Sequence, residues 1–148
     1  MVIRSLSQNH GPNAERDTHP GQSPSDTTVG SYVFINQNNR TWTEAQRYCR
    51  ENYRDLVSVR NQTENDLIRN MFTSKTWVWI GLYRDYWQWS DQRNSSFRYW
   101  APGKPDNNTG NEKCTVASIT QTLSGMWDDR QCGEKHPFIC YDGEFKSV

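Results

Sequence analysis

The chain has 148 residues with 17 basic and 17 acidic side chains, so its formal net charge is zero. That length suits a single domain of ordinary size, and a neutral chain with a pI near 6.8 lacks the positive surface that binds nucleic acid or anionic membranes. There is no run of about 18 apolar residues, so we expect no segment that inserts into a membrane.

The first 30 residues differ in composition from the rest of the chain. They contain no aromatic residue and three of the six prolines. Such a segment buries too little apolar surface to offset the entropy lost on ordering. We therefore predict a disordered leader or linker over residues 1–30, a folded domain over 31–142 and a tail over 143–148. The apolar start breaks at Arg4, which leaves no signal-peptide core; this fits a cytosolic protein or a chain cut from a longer precursor.

The first half of the domain predicts strands and helices in alternation. Alternating apolar residues predict a strand over 31–35. Residues 41–44 have the spacing of a capping box, and the apolar residues after them recur at helical intervals, which predicts a helix over 42–53. A short strand over 56–59 and a second helix over 62–72 follow.

The second half predicts strands around a long irregular loop. A buried strand is expected over 77–82, after which residues 83–110 show no sustained periodicity, apart from a short strand candidate at 87–89. Three further strand candidates lie at 114–119, 125–128 and 137–141. Helices followed by a run of strands indicate an α+β fold.

The cysteines and the glycosylation sequons together indicate a secreted domain. No cysteine pair has the C-x₂-C spacing of zinc sites, and four cysteines allow three pairings. Paired cysteines are favoured outside the cell. Four N-x-[ST] sequons agree with this and predict a glycoprotein. Together these features outweigh the missing signal peptide, so we expect an extracellular or secreted protein. The cysteines are Cys49, Cys114, Cys132 and Cys140, and the sequons begin at Asn39, Asn61, Asn94 and Asn107.

Four carboxylates fall within 24 residues of the second half: Asp106, Glu112, Asp128 and Asp129. Clustered hard oxygens held on a loop are what a Ca²⁺ ion needs. Lys104 stands beside them, and a lysine offers three N–H donors and no lone pair. Whether the loop binds calcium therefore depends on Lys104.

These motifs together resemble a C-type lectin-like domain over residues 31–142. The resemblance rests on the order of the cysteines and on three motifs: Trp79-Ile80-Gly81-Leu82, Lys104-Pro105-Asp106, and Trp127-Asp128-Asp129 before Cys132. It implies two helices flanking small antiparallel sheets, with a long irregular ligand-binding loop. It also implies the disulfides Cys49–Cys140 and Cys114–Cys132, and the short form of the domain, without an additional N-terminal cysteine pair.

The resemblance further implies a calcium site at which two sugar hydroxyls chelate the ion. Its ligand positions in this chain are Lys104, Asp106, Glu112, Asp128 and Asp129. The proline triplet is Glu-Pro-Asn in mannose-type and Gln-Pro-Asp in galactose-type lectins, so Asp106 is galactose-like and Lys104 fits neither. The family places a cis peptide before this proline. A second family calcium site has Asn107 and Lys113 at acidic positions and is poorly supported.

Charge gives two opposing arguments about Lys104. Two like unit charges about 4 Å apart repel by roughly 4 kcal/mol at an effective dielectric constant of 20, and a divalent ion doubles this. Against that, position 128 is usually Asn in the family, and with Asp128 the site keeps the −3 total of a galactose-type site. We hypothesise that the Lys104 ammonium folds into the cluster towards Asp128 and replaces the ion. Alternatively, Lys104 points to solvent and the other four residues bind calcium, or the acids form only a solvated loop.

The aromatic residues divide into core and loop groups, and nothing indicates catalysis. We expect Trp77, Trp79 and Trp127 in the core. Residues near the long loop either pack it or stack on sugar C–H surfaces: Trp87, Trp89, Tyr99 and Trp100, of which Trp100 is our ligand-binding candidate. The histidines (His10, His19 and His136) complete no nucleophile–histidine–acid set, and the adjacent pair Asp128-Asp129 is weak evidence for a glycosidase. We expect no enzyme.

The sequence therefore predicts a carbohydrate-binding domain that is calcium-dependent and leans towards galactose through Asp106. The alternative is a calcium-independent, lectin-like protein-binding or receptor domain; an ice-binding domain has no positive residue signal. Expected partners are glycans or glycoproteins, in a tandem or oligomeric context that supplies avidity. A glycan on Asn107 would lie beside the site and block it.

Overall fold

The computed structural model describes residues 27–71, 76–84, 86–118 and 123–143. Residues 1–26 of the predicted leader and 144–148 of the predicted tail lie outside this part. The elements are β1 (Thr27–Val29), β2 (Tyr32–Arg40), α1 (Trp42–Asn52), β3 (Asp55–Leu56), α2 (Gln62–Asn70), β4 (Trp77–Tyr83), β5 (Gln88–Trp89), β6 (Glu112–Ser118), β7 (Trp127–Gln131) and β8 (His136–Tyr141). The first strand thus begins within the segment assigned to the leader.

The strands join into one connected sheet with the order β1-β2-β8-β4-β6-β7, with β3 paired to β8 and β5 to β4. Where small antiparallel sheets were expected, the central pair β4 and β8 is parallel, with Trp79 opposite Phe138. The other pairs are antiparallel. The α+β class and the two helices are confirmed.

Local capping and packing fix both helices. The Thr41 hydroxyl accepts from the Glu44 N–H at 3.3 Å, and the Glu44 carboxylate accepts from the Thr41 N–H at 3.0 Å, which completes the predicted capping box. In α2, Asn61 Oδ1 accepts from the Glu64 N–H at 2.9 Å. That helix ends at Asn70, two residues before the predicted end.

A buried asparagine connects α2 to the far end of the sheet. Asn65 is 1% exposed. Its Oδ1 accepts from the Trp127 indole at 2.9 Å, and its Nδ2 donates to the Gly125 carbonyl at 3.1 Å. Because both polar groups are satisfied, this buried amide positions the start of β7 without the cost of an unpaired donor or acceptor.

The core and the Trp-Ile-Gly-Leu motif form where the sequence predicts them. Trp79 and Trp127 are fully buried, whereas Trp77 is only partly buried. At Gly81 an added Cβ would lie 3.0 Å from the Val57 carbonyl oxygen, and the Gly81 N–H donates to that same oxygen at 2.8 Å. The close backbone approach explains why glycine occupies this position.

Both implied disulfides are present. Cys49–Cys140 (S–S 2.07 Å) joins α1 to β8, and Cys114–Cys132 (S–S 1.98 Å) joins β6 to the residue after β7. The second bridge closes the open end of the β6–β7 hairpin, which carries three of the four candidate acids: Glu112, Asp128 and Asp129.

Candidate functional site

The long loop between β5 and β6 is fastened to β7 by its backbone. Trp100 forms a parallel bridge with Trp127, and the Ala101 N–H donates to the Trp127 carbonyl at 2.8 Å. The Lys104 N–H then donates to the Ala101 carbonyl at 2.9 Å, and the peptide before Pro105 is cis, as the family resemblance implies. These contacts bring the proline triplet beside the acidic residues of β7.

Three of the acidic residues converge into one group. Carboxylate oxygens of Asp106, Glu112 and Asp129 lie within 4.8 Å of one another. Asp129 is fully buried, and its two oxygens accept the backbone N–H groups of Asp106 at 3.1 Å and Asn107 at 2.7 Å. The Asn108 N–H donates to Glu112 at 2.7 Å. Successive backbone donors therefore partly neutralise the group.

Asn107 also fixes the backbone around the three carboxylates. Its φ is +47°, a left-handed conformation that asparagine tolerates better than most residues. Its side-chain oxygen accepts from the Glu112 N–H at 2.9 Å. Of the four sequon asparagines, Asn39, Asn61 and Asn94 are exposed and Asn107 is partly buried.

Lys104 lies between two carboxylates. Its Nζ is 3.1 Å from Asp106 Oδ2 and 3.0 Å from Asp128 Oδ1. The Asp128 contact is an ion pair by distance without the alignment of a hydrogen bond. The other Asp128 oxygen accepts from Arg130 Nε at 3.0 Å. Asp128 therefore lies between two cations and outside the three-carboxylate group.

The pKa shifts follow from this arrangement. Desolvation opposes the charged form of Lys104, but its close contacts with the negative charges of Asp128 and Asp106 outweigh it and raise the lysine's pKa. The hydrogen bond from Lys104 lowers the pKa of Asp106. Burial raises the pKa of Glu112, and the charges of Asp129 and Asp106 add to that rise. Glu112 is therefore the carboxyl whose ionised form is penalised.

As arranged, these residues do not fit a Ca²⁺ ion. The ion takes six to eight oxygen ligands. Of the five ligand positions taken from the resemblance, three carboxylates converge, Asp128 faces Lys104 and Arg130, and Lys104 supplies no lone pair. An ion could enter only if Lys104 left its two carboxylates.

Trp100, the aromatic ligand-binding candidate, packs against other tryptophans of the core and the loop. It is partly buried, and its ring packs on Trp127 (centroids 5.9 Å, 83°) and on Trp87 (4.8 Å, 56°). Trp89 is almost fully buried and edge-on to Trp127. Packing is thus the observed role of these rings.

Sequence reasoning missed Arg130. Residues two apart on a strand point to the same face, so the spacing of Asp128 and Arg130 carried a usable signal. Asn65 gave no such signal, because its partner Trp127 is 62 residues away.

The fold and the loop define a domain of the C-type lectin class. The chain belongs to this family: the sequence model of the lectin C-type domain matches residues 38–142. The chain therefore groups with binding proteins rather than with enzymes.

Individual relatives agree with this assignment. E-selectin of Oryctolagus cuniculus is 32% identical over 123 residues, which cover 78% of this chain and only 22% of E-selectin. The C-type lectin lectoxin-Phi2 of Philodryas olfersii is 34% identical over 122 residues, which cover 76% of each chain.

Solved structures share the fold. A calcium-independent type II antifreeze protein superposes with a TM-score of 0.65 at 25% identity, covering 80% of this chain and 92% of that one. The C-type lectin domain of murine dendritic cell inhibitory receptor 2, solved with an N-glycan, gives 0.69 at 25% identity, covering 83% and 100%. Neither described helix has the length and apolar character needed to cross a bilayer.

Proposed function

We propose that this domain binds carbohydrate on glycoproteins through its long loop, and that the loop keeps its shape without calcium. The observation that carries the proposal is the Lys104 ammonium, 3.0 Å from Asp128 and 3.1 Å from Asp106. An ammonium in this position supplies positive charge to the cluster, which is what an ion would otherwise do.

The surroundings of Lys104 support this assignment. Asp128 is buried, and burying an ionised carboxylate is costly unless a cation compensates it. Lys104 and Arg130 provide that compensation from two sides. Comparison with a fold neighbour described as calcium-independent, and with another solved with an N-glycan, is consistent with glycan recognition that needs no ion.

A second candidate function is calcium-dependent sugar binding that leans towards galactose through Asp106. The convergence of Asp106, Glu112 and Asp129 within 4.8 Å favours it, since three carboxylates form much of a calcium site. This candidate requires calcium to displace Lys104 from Asp106 and Asp128.

A glycan array probed in calcium and in EDTA tests the two candidates. The proposal predicts the same set of bound glycans in both buffers. Loss of binding in EDTA, with recovery when calcium is restored, would establish the second candidate. If no glycan is bound in either buffer while a protein ligand is, the domain is a protein-binding receptor module and the proposal is wrong.

We place the protein outside the cell, in contact with glycans or glycoproteins. Two disulfides support this, because such bridges persist in oxidising compartments. A tandem or oligomeric arrangement would add avidity to a weak single site. Mass analysis of the intact protein and its peptides before and after glycosidase treatment would show which sequons are used, Asn107 included.

A further inference from the structure

A polar recess lies between β5 and the first part of the long loop that follows it. It is a cavity of about 190 Å³ bounded by β5 and by the segment that follows it. Its lining includes two tryptophans, two arginines and three amides: Trp87 and Trp89, Arg93 and Arg98, and Gln88, Gln92 and Asn94. Binding sites for drug-sized molecules measure about 300–1,000 Å³, so this recess suits one sugar ring or its charged substituent.

Arg98 brings an uncompensated positive charge to this recess. The bonds that its guanidinium donates within the described residues go to backbone carbonyls, from Nη1 to Ser95 at 2.8 Å and Phe97 at 2.7 Å, and from Nη2 to Trp87 at 3.3 Å. Within the described part of the chain, no carboxylate lies within 4.0 Å of Arg98. Burial lowers the pKa of Arg98, which shows the cost of holding this charge away from water.

Arg93 differs from Arg98 in having a counter-charge. Its Nε lies 3.6 Å from Asp91 Oδ2, and Asp91 also accepts from the Ser58 hydroxyl at 2.7 Å. Among the residues that the structure describes, no carboxylate lines the recess. Counted over those residues, the recess keeps a net positive charge after Arg93 is paired.

The walls offer what a sugar ring needs besides charge. Trp87 is partly buried, and its ring contacts Trp100 (centroids 4.8 Å apart) and the Arg84 guanidinium (5.0 Å from the ring centroid). Trp89 is 1% exposed, so it forms the floor of the recess. Gln88 and Asn94 are exposed and can bond hydroxyl groups. Aromatic, amide and cationic groups thus converge on one small recess.

We propose that this recess binds the acidic group of a saccharide, a carboxylate or a sulfate, with Arg98 as its counter-charge. The proposal rests on the glycan-binding function and defines its ligand class as acidic sugars. It places their recognition on residues other than the acidic group, where the cation Lys104 is already paired with Asp106 and Asp128.

The test is an NMR titration of the full chain, labelled at its indole nitrogens and produced without N-glycans. The probes are the methyl glycoside of N-acetylneuraminic acid, galactose 6-sulfate, and neutral methyl galactoside. We expect an acidic sugar to shift the indole resonances of Trp87 and Trp89, and the neutral sugar to leave them in place. A response to one acid alone identifies whether the group is a carboxylate or a sulfate.

Matched variants separate charge from folding. Arg98→Gln should weaken binding of the acidic sugar by about tenfold or more, the size of one charge-assisted hydrogen bond, while Arg98→Lys keeps part of it. Gln88→Glu places a repelling carboxylate at the exposed rim, leaves Arg98 in place, and should also weaken binding. Arg47→Gln removes an exposed arginine of α1 as the control and should change nothing.

Two results would overturn the proposal. One is an absence of indole shifts with every acidic sugar in the unsubstituted protein, which needs no variant to fold. The other is unchanged affinity in both Gln88→Glu and Arg98→Gln. Failure of the glycan-binding proposal is distinguishable, because it appears as a blank array while this titration reports free sugars at the recess.

Discussion

If Lys104 replaces the ion as we propose, its substitution with glutamine should give a loop that binds calcium. The substitution removes an ammonium 3.0 Å from Asp128, whose side chain is 8% exposed. Arg130 remains on the other Asp128 oxygen, so the charge is only half uncompensated. We therefore assign the loss a cost of about 1–2 kcal/mol, below the 3–5 kcal/mol of a fully broken buried pair. That corresponds to a fall in melting temperature of about 4–8 °C in EDTA.

Calcium should reverse this loss in the variant alone. Glutamine offers a carbonyl oxygen where lysine offers none, and Asp106 and Asp128 are released to face an ion. At a free calcium concentration of about 100 times the dissociation constant, binding stabilises the fold by about 2.7 kcal/mol. Differential scanning fluorimetry in calcium and in EDTA measures both effects, with Lys135→Gln, at an exposed lysine, as the control.

A large calcium-dependent rise in the melting temperature of the unsubstituted protein, abolished by EDTA, would refute this reasoning. It would show that the ion displaces the ammonium despite its two carboxylates. If calcium leaves the melting temperature of the Lys104→Gln variant unchanged, the prediction that this variant gains a calcium site is wrong, since the remaining oxygens are then unable to form one.

Three further outcomes are expected. The pKa of Glu112 is raised in the folded state, so the folded protein binds the proton more tightly than the unfolded chain does, and its stability falls as the pH rises above the ordinary glutamate value of 4.5. Glu112→Gln should remove this fall. Melting curves recorded from pH 4.5 upwards measure the slope of stability against pH, and an unchanged slope in the variant would contradict the assignment. Asp129→Asn leaves one of the two backbone N–H groups bound by Asp129 without its acceptor, so it should lower the free energy of unfolding by about 1–3 kcal/mol. Hydrogen exchange should become faster at the amides of Asp106 and Asn107 and change little at Val116 in the neighbouring strand. Loss of Cys49–Cys140, which spans 91 residues, should lower stability by about 4–5 kcal/mol, and loss of Cys114–Cys132, which spans 18, by about 3 kcal/mol, because closing a longer loop removes more entropy from the unfolded chain. Urea unfolding of Cys49→Ala/Cys140→Ala and of Cys114→Ala/Cys132→Ala measures both losses. A reversed order would exclude the loop-entropy account.

Local signals made much of the fold predictable. The capping box at Thr41 involves residues only three apart, and each helix begins directly after its predicted N-cap residue, Thr41 or Asn61. Strand ends were less predictable. β2 runs on to Arg40 through four exposed polar residues, because pairing with β8 resumes at His136 after a bulge. No apolar alternation marks that extension.

The candidate site divides in the same way. The family resemblance identified Asp128 as the unusual acid, and the geometry places the Lys104 ammonium beside it; its role as a substitute for an ion stays a prediction. The sequence-based hypothesis did not include Arg130, the second cation on Asp128. The recess around Arg98 could not be predicted, because its walls come from residues without sequence periodicity that tertiary packing assembles.

The pairing of β2 with β8 also determines how the domain bears mechanical load. The Asp142 N–H donates to the Ser31 carbonyl at 2.8 Å, and Tyr32 lies opposite Tyr141, so the start of β2 and the end of β8 lie side by side. Tension between these two strand ends, once β1 has separated from β2, would separate β2 from β8 one hydrogen bond at a time. This separation reaches Cys140 at once, and there the bridge to Cys49 passes the force into α1. Such a load would therefore strain the β2–β8 pair and α1 before it reached the acidic residues of β6 and β7, which lie beyond β4 in the sheet.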